Sequence, residues 1–426
     1  MSTDDMTVDL DHFNPFDPRV QQCPFPHYAA MRARTPVFRV PNTDLFLVTR
    51  HDLITPILRD TATFSNAFGN TGEPPRGEVV ERLKAVMAHG WPQVPTMLTI
   101  DPPWHTRYRG TVAPYFTPKR VGELRPAIEQ ICSRLIDSWI DAGTIELVQQ
   151  FAIPLPIEAI AAVLNVPTER MADFKRWSDD SIAAIGARIT DDERVRAQEG
   201  IVELQHYFAA QLEDRKANPR GDLLSDLVHA EIDTDEGTQR PLDMAEMLSI
   251  VQQLLVAGNE TTTKALTEGV RLLVEHPAEW AALRADPAGR AAMLTEEVLR
   301  LATPTQGMFR LVTRDTEIEG VPVPKGARLV VVYAAANRDP QVFDDPDAFR
   351  PERTNLKEHL AFGKGIHFCL GAPLSRLEMQ VAFEMLARRL EAVRLVEGAP
   401  PLEYHPSFVL RGLKRLDVAF TPAGAA

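Results

Sequence analysis

Residues 362–371 read Phe-Gly-Lys-Gly-Ile-His-Phe-Cys-Leu-Gly, and this stretch decides how the rest of the chain is read. Three glycines within it, followed by helix-forming sequence from about Ala372, describe a tight loop that delivers Cys369 to a helix N-terminus. Glycine tolerates positive φ and lets a flat ligand approach the backbone closely. Amides of the loop and of the helix start favour a thiolate and lower the thiol pKa. A thiolate so held is a strong axial donor for iron, and such a donor promotes O–O cleavage. Two plainer readings compete: a glycine-rich turn around a buried cysteine, and a zinc site through His367 and Cys369. The zinc reading lacks a second ligand pair at usable spacing.

Working outward, helical periodicity resumes over 373–390, and a probable hairpin ends the chain. Upstream of the loop lie strand-rich stretches at Phe309–Val312 and Arg328–Val332, and a helix near 289–302. Before these the pattern predicts one long helix. Pro241 and Asp243 open it, Glu246 follows as an approximate capping box, and His276-Pro277 ends it. Met247, Leu248, Val251, Leu254, Leu255, Leu266, Val270 and Leu273 carry its apolar pattern. About 34 residues at 1.5 Å each reach roughly 50 Å, so this helix must cross the interior.

Shorter helices are predicted near 157–164, 168–187, 191–216 and 221–231. From Pro118, the residues Val121, Leu124, Ile128, Ile131, Cys132, Leu135 and Trp139 mark one buried face, with Cys132 as a small core residue. Val37–Val40 and Leu45–Val48 flank a turn cluster and predict a hairpin. Residues 65–98 read as a long Gly- and Pro-containing loop with one short helix near 78–88, and residues 1–35 as an irregular arm. The expectation is a mainly α fold with a minor β region, one domain over 1–426.

Composition narrows the function. Hydrophobic residues make up 44% and charged residues 25%, the balance of a globular protein. The net charge of −13 argues against a nucleic-acid binder and against adhesion to anionic membranes. Three cysteines are too few and too scattered for a disulfide framework. No apolar run is long enough to span a bilayer, and residues 1–18 carry no apolar signal core, so a cytoplasmic location is expected.

The 362–371 segment resembles the haem-binding signature of the cytochrome P-450 haem-thiolate monooxygenases, Phe-Gly-x-Gly-x-His/Arg-x-Cys-x-Gly, and matches it at every fixed position. More of that family's motifs follow in order. His105-Thr-Arg-Tyr-Arg109 looks like the segment that binds a haem propionate through His105 and Arg109. Ala257-Gly258-Asn259-Glu260-Thr261-Thr262 is similar to the oxygen-activation motif. There Gly258 would leave space for dioxygen, Thr261 would assist its activation and bend the helix locally, and Glu260 would relay protons. Glu297-Val-Leu-Arg300 matches the Glu-x-x-Arg pair, which the family locks to a second arginine; here Arg353 fits, although Thr354 replaces the usual Phe. Ala336-Asn337-Arg338-Asp339-Pro340 matches a stretch typical of bacterial members. Arg310 aligns with a further propionate-binding arginine, and His367 is carried over likewise.

The resemblance implies haem b bound through Cys369 and cradled by Phe362, Gly363 and Gly371. It also implies dioxygen as co-substrate and hydroxylation of a small hydrophobic compound. No flavin or ferredoxin module is recognisable in the chain, so electrons are expected from a separate ferredoxin with its NAD(P)H-dependent reductase. Arg107, Arg109, Lys119, Arg120 and Arg125, with Lys364 and Arg376, suggest a basic patch against the single acid Glu123, where an acidic ferredoxin would dock. Substrate contacts are expected from Phe68, Trp91, Met97, Leu98, Val256, Ala257, Met308 and Phe309. This apolar set suits a terpenoid, steroid, aromatic or fatty compound without choosing among them. The rival functions are oxidative coupling or peroxide-driven chemistry on the same haem, and a haem sensor without turnover. The Glu260–Thr261 pair speaks against the sensor, which needs no proton relay.

Overall fold

The computed structural model of the chain describes residues 8–69 and 75–424. Its organising element is the helix Met244–Glu275, 32 residues and therefore about 48 Å long. Both ends follow from local chemistry. The Asp243 carboxylate accepts from the Glu246 amide and the Glu246 carboxylate from the Asp243 amide, each at 2.8 Å, a reciprocal capping box. His276 stops the helix because Pro277 disfavours the α conformation in the residue before it; His276 sits at φ −124°, ψ 74°. Leu248, Ile250, Val251, Leu255, Leu266 and Leu273 are all buried, so apolar side chains leave this helix on several sides and it runs through the core. Helices Pro154–Leu164, Met171–Ile182, Asp191–Ala217, Pro287–Ala302 and Ala372–Arg389 pack around it.

A five-stranded sheet stands to one side, ordered Val37–Arg39, Leu45–Val48, Arg328–Val331, Met308–Val312 and Phe64–Ser65. Leu45–Val48 pairs parallel with Arg328–Val331, and the other pairings are antiparallel. The register sets Leu329 opposite Arg310 and Val330 opposite Phe309. Side chains alternate across a sheet, so Arg310 and Phe309 leave opposite faces. Leu329, Val331 and Val312 pack on one face, whereas Phe309, Val330, Leu47 and Phe38 pack on the other.

Four expectations change. The N-terminal arm is not irregular throughout: helices Pro18–Gln22 and Phe25–Arg34 occupy it, each with a proline in its first turn, where it is tolerated. The segment after Pro118 is two helices, Pro118–Gly122 and Arg125–Asp137, on whose common face Cys132 is fully buried. An unforeseen helix, Pro277–Ala285, follows the central one without a loop, Pro277 serving at once as terminator and first residue. The C-terminal strands Leu390–Leu395 and Asp417–Pro422 pair antiparallel, but Thr144–Glu146 joins them as a third strand. The helix expected near 78–88 forms as Glu78–Met87. Among the described residues no helix is long and apolar enough to cross a membrane.

Candidate functional site

The cysteine loop is built by backbone. The Cys369 amide donates to the Phe362 carbonyl at 2.9 Å, and the Phe368 amide donates to the Gly365 carbonyl at 3.1 Å. Gly365 has φ +76°, and a Cβ there would lie 2.5 Å from the Leu58 carbonyl oxygen, so position 365 is closed to other residues on two counts. Gly363, at φ +67°, sits under the Tyr333 hydroxyl, while a Cβ on Gly371 would enter open space. Arg376 lies 4.5 Å above the Phe362 ring.

Cys369 is open to the adjoining cleft, although it lies deep in the protein. Burial therefore dominates its thiol and pushes the pKa up; the Gly371 and Ala372 amides, with Arg109 and Arg376, pull the other way. The amides act in the direction expected from sequence, but burial outweighs them.

Around this cleft stand cations and rings whose polar atoms lack partners. His105 is 2% exposed, and neither of its ring nitrogens has a hydrogen-bond partner. Its ring centroid is 4.2 Å from that of His367. His367 Nδ1 donates to the Met97 carbonyl at 3.2 Å and leaves Nε2 buried without a hydrogen bond, 3.9 Å from Asp101 Oδ1. Arg310 is buried, donates through Nη1 to the Phe309 carbonyl, and leaves Nε unpartnered. Arg109 donates to the Phe368 carbonyl at 2.8 Å. Burial, then His105, Arg310 and Arg109, push the His367 pKa down to about 3, so these four groups share one electrostatic neighbourhood. Burial and Arg109 likewise lower His105.

Orphaned buried polar atoms call for a ligand, and a cluster of donors calls for an anion. A carboxylate there would complete the arginine and His105 donors and favour the imidazolium form in which His367 Nε2 can donate. The residues thus fit a flat group carrying propionates beside Cys369. Tyr333, beside Gly363, belongs to the same wall and was not anticipated; its apolar surroundings in sequence gave no signal.

On the central helix, Ala257 is exposed to the cleft and Val256 is half-buried. The Thr261 hydroxyl donates to the Ala257 carbonyl at 3.0 Å, a back-bond one turn up the helix. The helix continues unbroken through Thr261, so the expected local bend does not interrupt it. Gly258 points toward Ile160, whose Cδ1 would lie 3.6 Å from an added Cβ, an ordinary contact. The reason first assigned to Gly258, room for dioxygen, does not match that direction.

Glu260 is buried and clasped by two lysines: Lys264 Nζ at 2.5 Å from Oε2 and Lys175 Nζ at 3.3 Å from Oε1. Burial would raise its pKa, but the two cations overcome this and hold it near about 2. Sequence reading missed both lysines, although Lys264 stands at i+4 from Glu260, a spacing that places the two on one face.

The expected pocket residues divide. Leu98 is 45% exposed, and its amide donates to Gln253 Oε1 at 3.3 Å; Met308 is half-buried on the Arg310 side of its strand. Phe309 instead packs with Phe68 and Phe408, ring centroids 5.9 Å apart in both pairs, on the opposite sheet face. Trp91 is tied to the helix Asp191–Ala217 by its amide and carbonyl to Gln205 and by its ring against His206. Met97 is buried, presenting its carbonyl to His367.

The basic patch is largely neutralised. Arg107 pairs with Asp235, Arg120 with Glu123, Arg125 with Glu129 and Glu384, Lys364 with Glu358 and Arg376 with Glu296. Apart from Glu123, these acids lie outside 103–126, where a local count along that segment does not see them.

Behind the loop, Glu297 and Arg300 form a bidentate pair at 2.7 and 2.8 Å with both side chains 0% exposed. Arg353 joins at 3.2 Å despite Thr354, and the Arg350 amide donates to the same carboxylate. The remaining Arg300 donors end on the Asn337, Pro346 and Ala348 carbonyls.

This fold and donor set define a haem-thiolate protein, and comparison with known proteins agrees. The cytochrome P-450 family profile matches residues 291–418. Over 401 residues the chain is 36% identical to the cytochrome P-450 monooxygenase PikC of Streptomyces venezuelae, covering 93% of this chain and 90% of that one. It is 34% identical over 400 residues to the 6-deoxyerythronolide B hydroxylase of Saccharopolyspora erythraea, covering 92% and 94%. The solved structure of CYP109Q5 from Chondromyces apiculatus superposes with a TM-score of 0.82 at 34% identity, covering 98% and 100%. The chain belongs to the cytochrome P-450 family of monooxygenases, which bind haem through a cysteine thiolate and require dioxygen, a small-molecule substrate and a redox partner.

Proposed function

We propose that this chain hydroxylates a bulky hydrophobic compound on a haem ligated by Cys369, with electrons from a separate ferredoxin-type donor. The observation that carries the site assignment is the cluster of buried polar atoms without hydrogen-bond partners on His105, His367 and Arg310 beside Cys369. His105, Arg109, Arg310 and His367 would hold the propionates, and Phe362, Gly363 and Gly371 would line the haem site beside Cys369. Bound there, the haem supplies dioxygen activation and insertion of one oxygen atom into the substrate.

The chain's own residues do the rest. Thr261 Oγ holds a hydroxyl proton beside the cleft, available once it leaves the Ala257 carbonyl. Glu260 passes protons inward from the surface side, where Lys175 is 25% exposed. Leu98, Val256, Ala257 and Met308 form the apolar wall that orients substrate and excludes water. One relative is a 6-deoxyerythronolide B hydroxylase, and a polycyclic or macrocyclic hydrophobe suits the same apolar wall. With most of the expected basic patch paired internally, the donor would dock mainly on shape around exposed Ile366 and Phe368, aided by Lys119.

The test is optical. The haem-loaded protein should show a thiolate Soret signature that Cys369→Ser abolishes while circular dichroism stays unchanged. Titration with macrolactones, steroids, fatty acids and small aromatics should give a saturable Soret shift with one class. A wild-type-like thiolate spectrum in Cys369→Ser would reject the ligand assignment.

A further inference from the structure

The charged cluster around Glu260 has two parts that differ in what they are attached to. Lys175 belongs to the helix Met171–Ile182, which covers the central helix from outside, and it also contacts Asp179 on its own helix. Lys175 is 25% exposed and Asp179 is 52% exposed, so water reaches this half. Lys264 belongs to the central helix itself, one turn beyond Glu260, and is as buried as the carboxylate it binds, 8% against 7%.

The stem of Lys264 has a seat on a third element. A Cβ on Gly412 of the C-terminal loop would lie 2.2 Å from Lys264 Cγ, so only glycine at 412 lets the lysine lie where it does. That loop is pinned by the His405 amide donating to the Gly412 carbonyl at 3.0 Å. The two carboxylate oxygens are divided between the lysines, Oε2 to Lys264 and Oε1 to Lys175. A movement of the covering helix therefore removes one partner and leaves the other in place.

We propose that Lys264 is a positioning residue for proton delivery: it anchors the Glu260 carboxylate to the central helix whether or not the covering helix is seated. The inference rests on Glu260 being the proton relay. Lys175 supplies the exchangeable contact on the solvent side, and Lys264 supplies the permanent one. The groups that face Glu260 are Lys264 on its own helix, Lys175 and Asp179 on the covering helix, and His405 on the C-terminal loop with Lys414 behind it. Four of these are cationic or can become so, and of the two lysines bonded to Glu260 only Lys264 is buried and carried on the same helix. Arginine at 264 retains the charge but not the compact head, whereas methionine keeps the stem and loses the charge.

The experiment compares haem-loaded wild type with Lys264→Met, Lys264→Arg, Lys175→Met and Glu260→Gln. Protonation of Glu260 is followed by infrared difference spectroscopy, its band assigned by loss in Glu260→Gln. In parallel, dioxygen consumption driven by NADPH with a ferredoxin and its reductase is measured without added substrate, in H2O and D2O. Lys264→Met should bring the protonated-carboxyl band in at a proton concentration at least about tenfold lower than in wild type, and should alter the solvent isotope effect. Lys175→Met should move the band less, and Lys264→Arg should restore it in large part.

Equal or larger movement in Lys175→Met, or none in Lys264→Met, overturns the anchor. If Lys264→Met does not take up haem, Gly412→Ala displaces the lysine stem from the neighbouring loop and should give the same shift. A Glu260→Gln enzyme with an unchanged isotope effect would overturn the proton-relay reading instead, and would leave the infrared result for Lys264 standing on its own.

Discussion

Glu297 and Glu260 are both buried carboxylates gripped by two cations each, and they are built for different purposes. Glu297 is held by Arg300 and Arg353, Glu260 by Lys264 and Lys175. At Glu297 the arginine forks are planar and fixed, and their spare donors end on backbone carbonyls of the 344–348 segment and Asn337. At Glu260 the partners are lysines, point charges on flexible stems, and one of them reaches water. A network with every donor satisfied cannot rearrange without leaving a buried charge, and it makes a scaffold. A carboxylate with one buried and one water-exposed ammonium partner can exchange the second while the first holds it, and it suits a relay.

The largest expected effect comes from the first region. Glu297→Gln leaves two buried guanidinium groups without their anion, a loss of about 3–5 kcal/mol. Urea unfolding of the haem-loaded enzyme should record it as a lower midpoint with an unchanged slope. Retained stability would mean that the carbonyl ligands alone hold the arginines, and the distinction from Glu260 would fall.

A neighbouring carboxylate sharpens the comparison through pH. Glu296 precedes Glu297 on the same helix but turns toward the cysteine helix, accepting from Arg376 at 2.6 and 2.9 Å and lying 3.0 Å from His359 Nε2. Burial raises its pKa, but His359 and Arg376 outweigh this and hold it near about 2, below the ordinary 4.5. A depressed folded pKa stabilises the protein at pH above the unfolded value, and that contribution disappears as pH falls through the folded one. Between about pH 5 and pH 3, wild type should therefore lose about 2 kcal/mol more stability than Glu296→Gln. Parallel stability curves for the two would remove Glu296 from the set of structural ion pairs.

Glu260→Gln should be milder for stability and harsher for turnover. Lys175 reaches water and only Lys264 is left as a buried cation without its carboxylate, so the loss should be about 1–2 kcal/mol. Product formed per electron should fall by about 10² if the carboxyl proton is needed in the rate-limiting step. A Glu260→Gln enzyme destabilised as much as Glu297→Gln would place both carboxylates in the scaffold.

What the sequence conveyed follows the same division. The central helix was legible because its capping box and its proline stop are local, and Cys369 was legible because the glycines that shape its loop lie within a few residues. His105 and Arg109, four apart on the helix Trp104–Val112, were legible for that reason too. Residues whose role depends on distant partners were not. Phe309 read as pocket-lining, yet the strand register sends it to the face opposite Arg310. Arg107 and Arg376 read as free charge, yet Asp235 and Glu296 arrive from elsewhere in the chain. Lys175 went unnoticed because its pairing with Glu260 spans two helices, whereas Lys264, four residues along the same helix, was legible and was passed over.

The smallest expected effect tests the direction of one missing side chain. Gly258 was read as space for dioxygen, but its Cα faces Ile160 across the junction with the helix Pro154–Leu164. Alanine there adds one methyl at ordinary contact distance, 3.6 Å from Ile160 Cδ1 and Cγ1. Glycine is worse than alanine in a helix interior by about 1 kcal/mol, so Gly258→Ala should raise stability by about 0.5–1 kcal/mol. It should leave dioxygen consumption close to wild type, because the methyl points into the helix junction while Ala257 and Thr261 face the cleft. A more stable protein with normal oxygen uptake would place Gly258 with the packing of the central helix. A sharp loss of oxygen uptake at unchanged stability would return it to the oxygen site, and would show that the helix turns about its axis when haem binds.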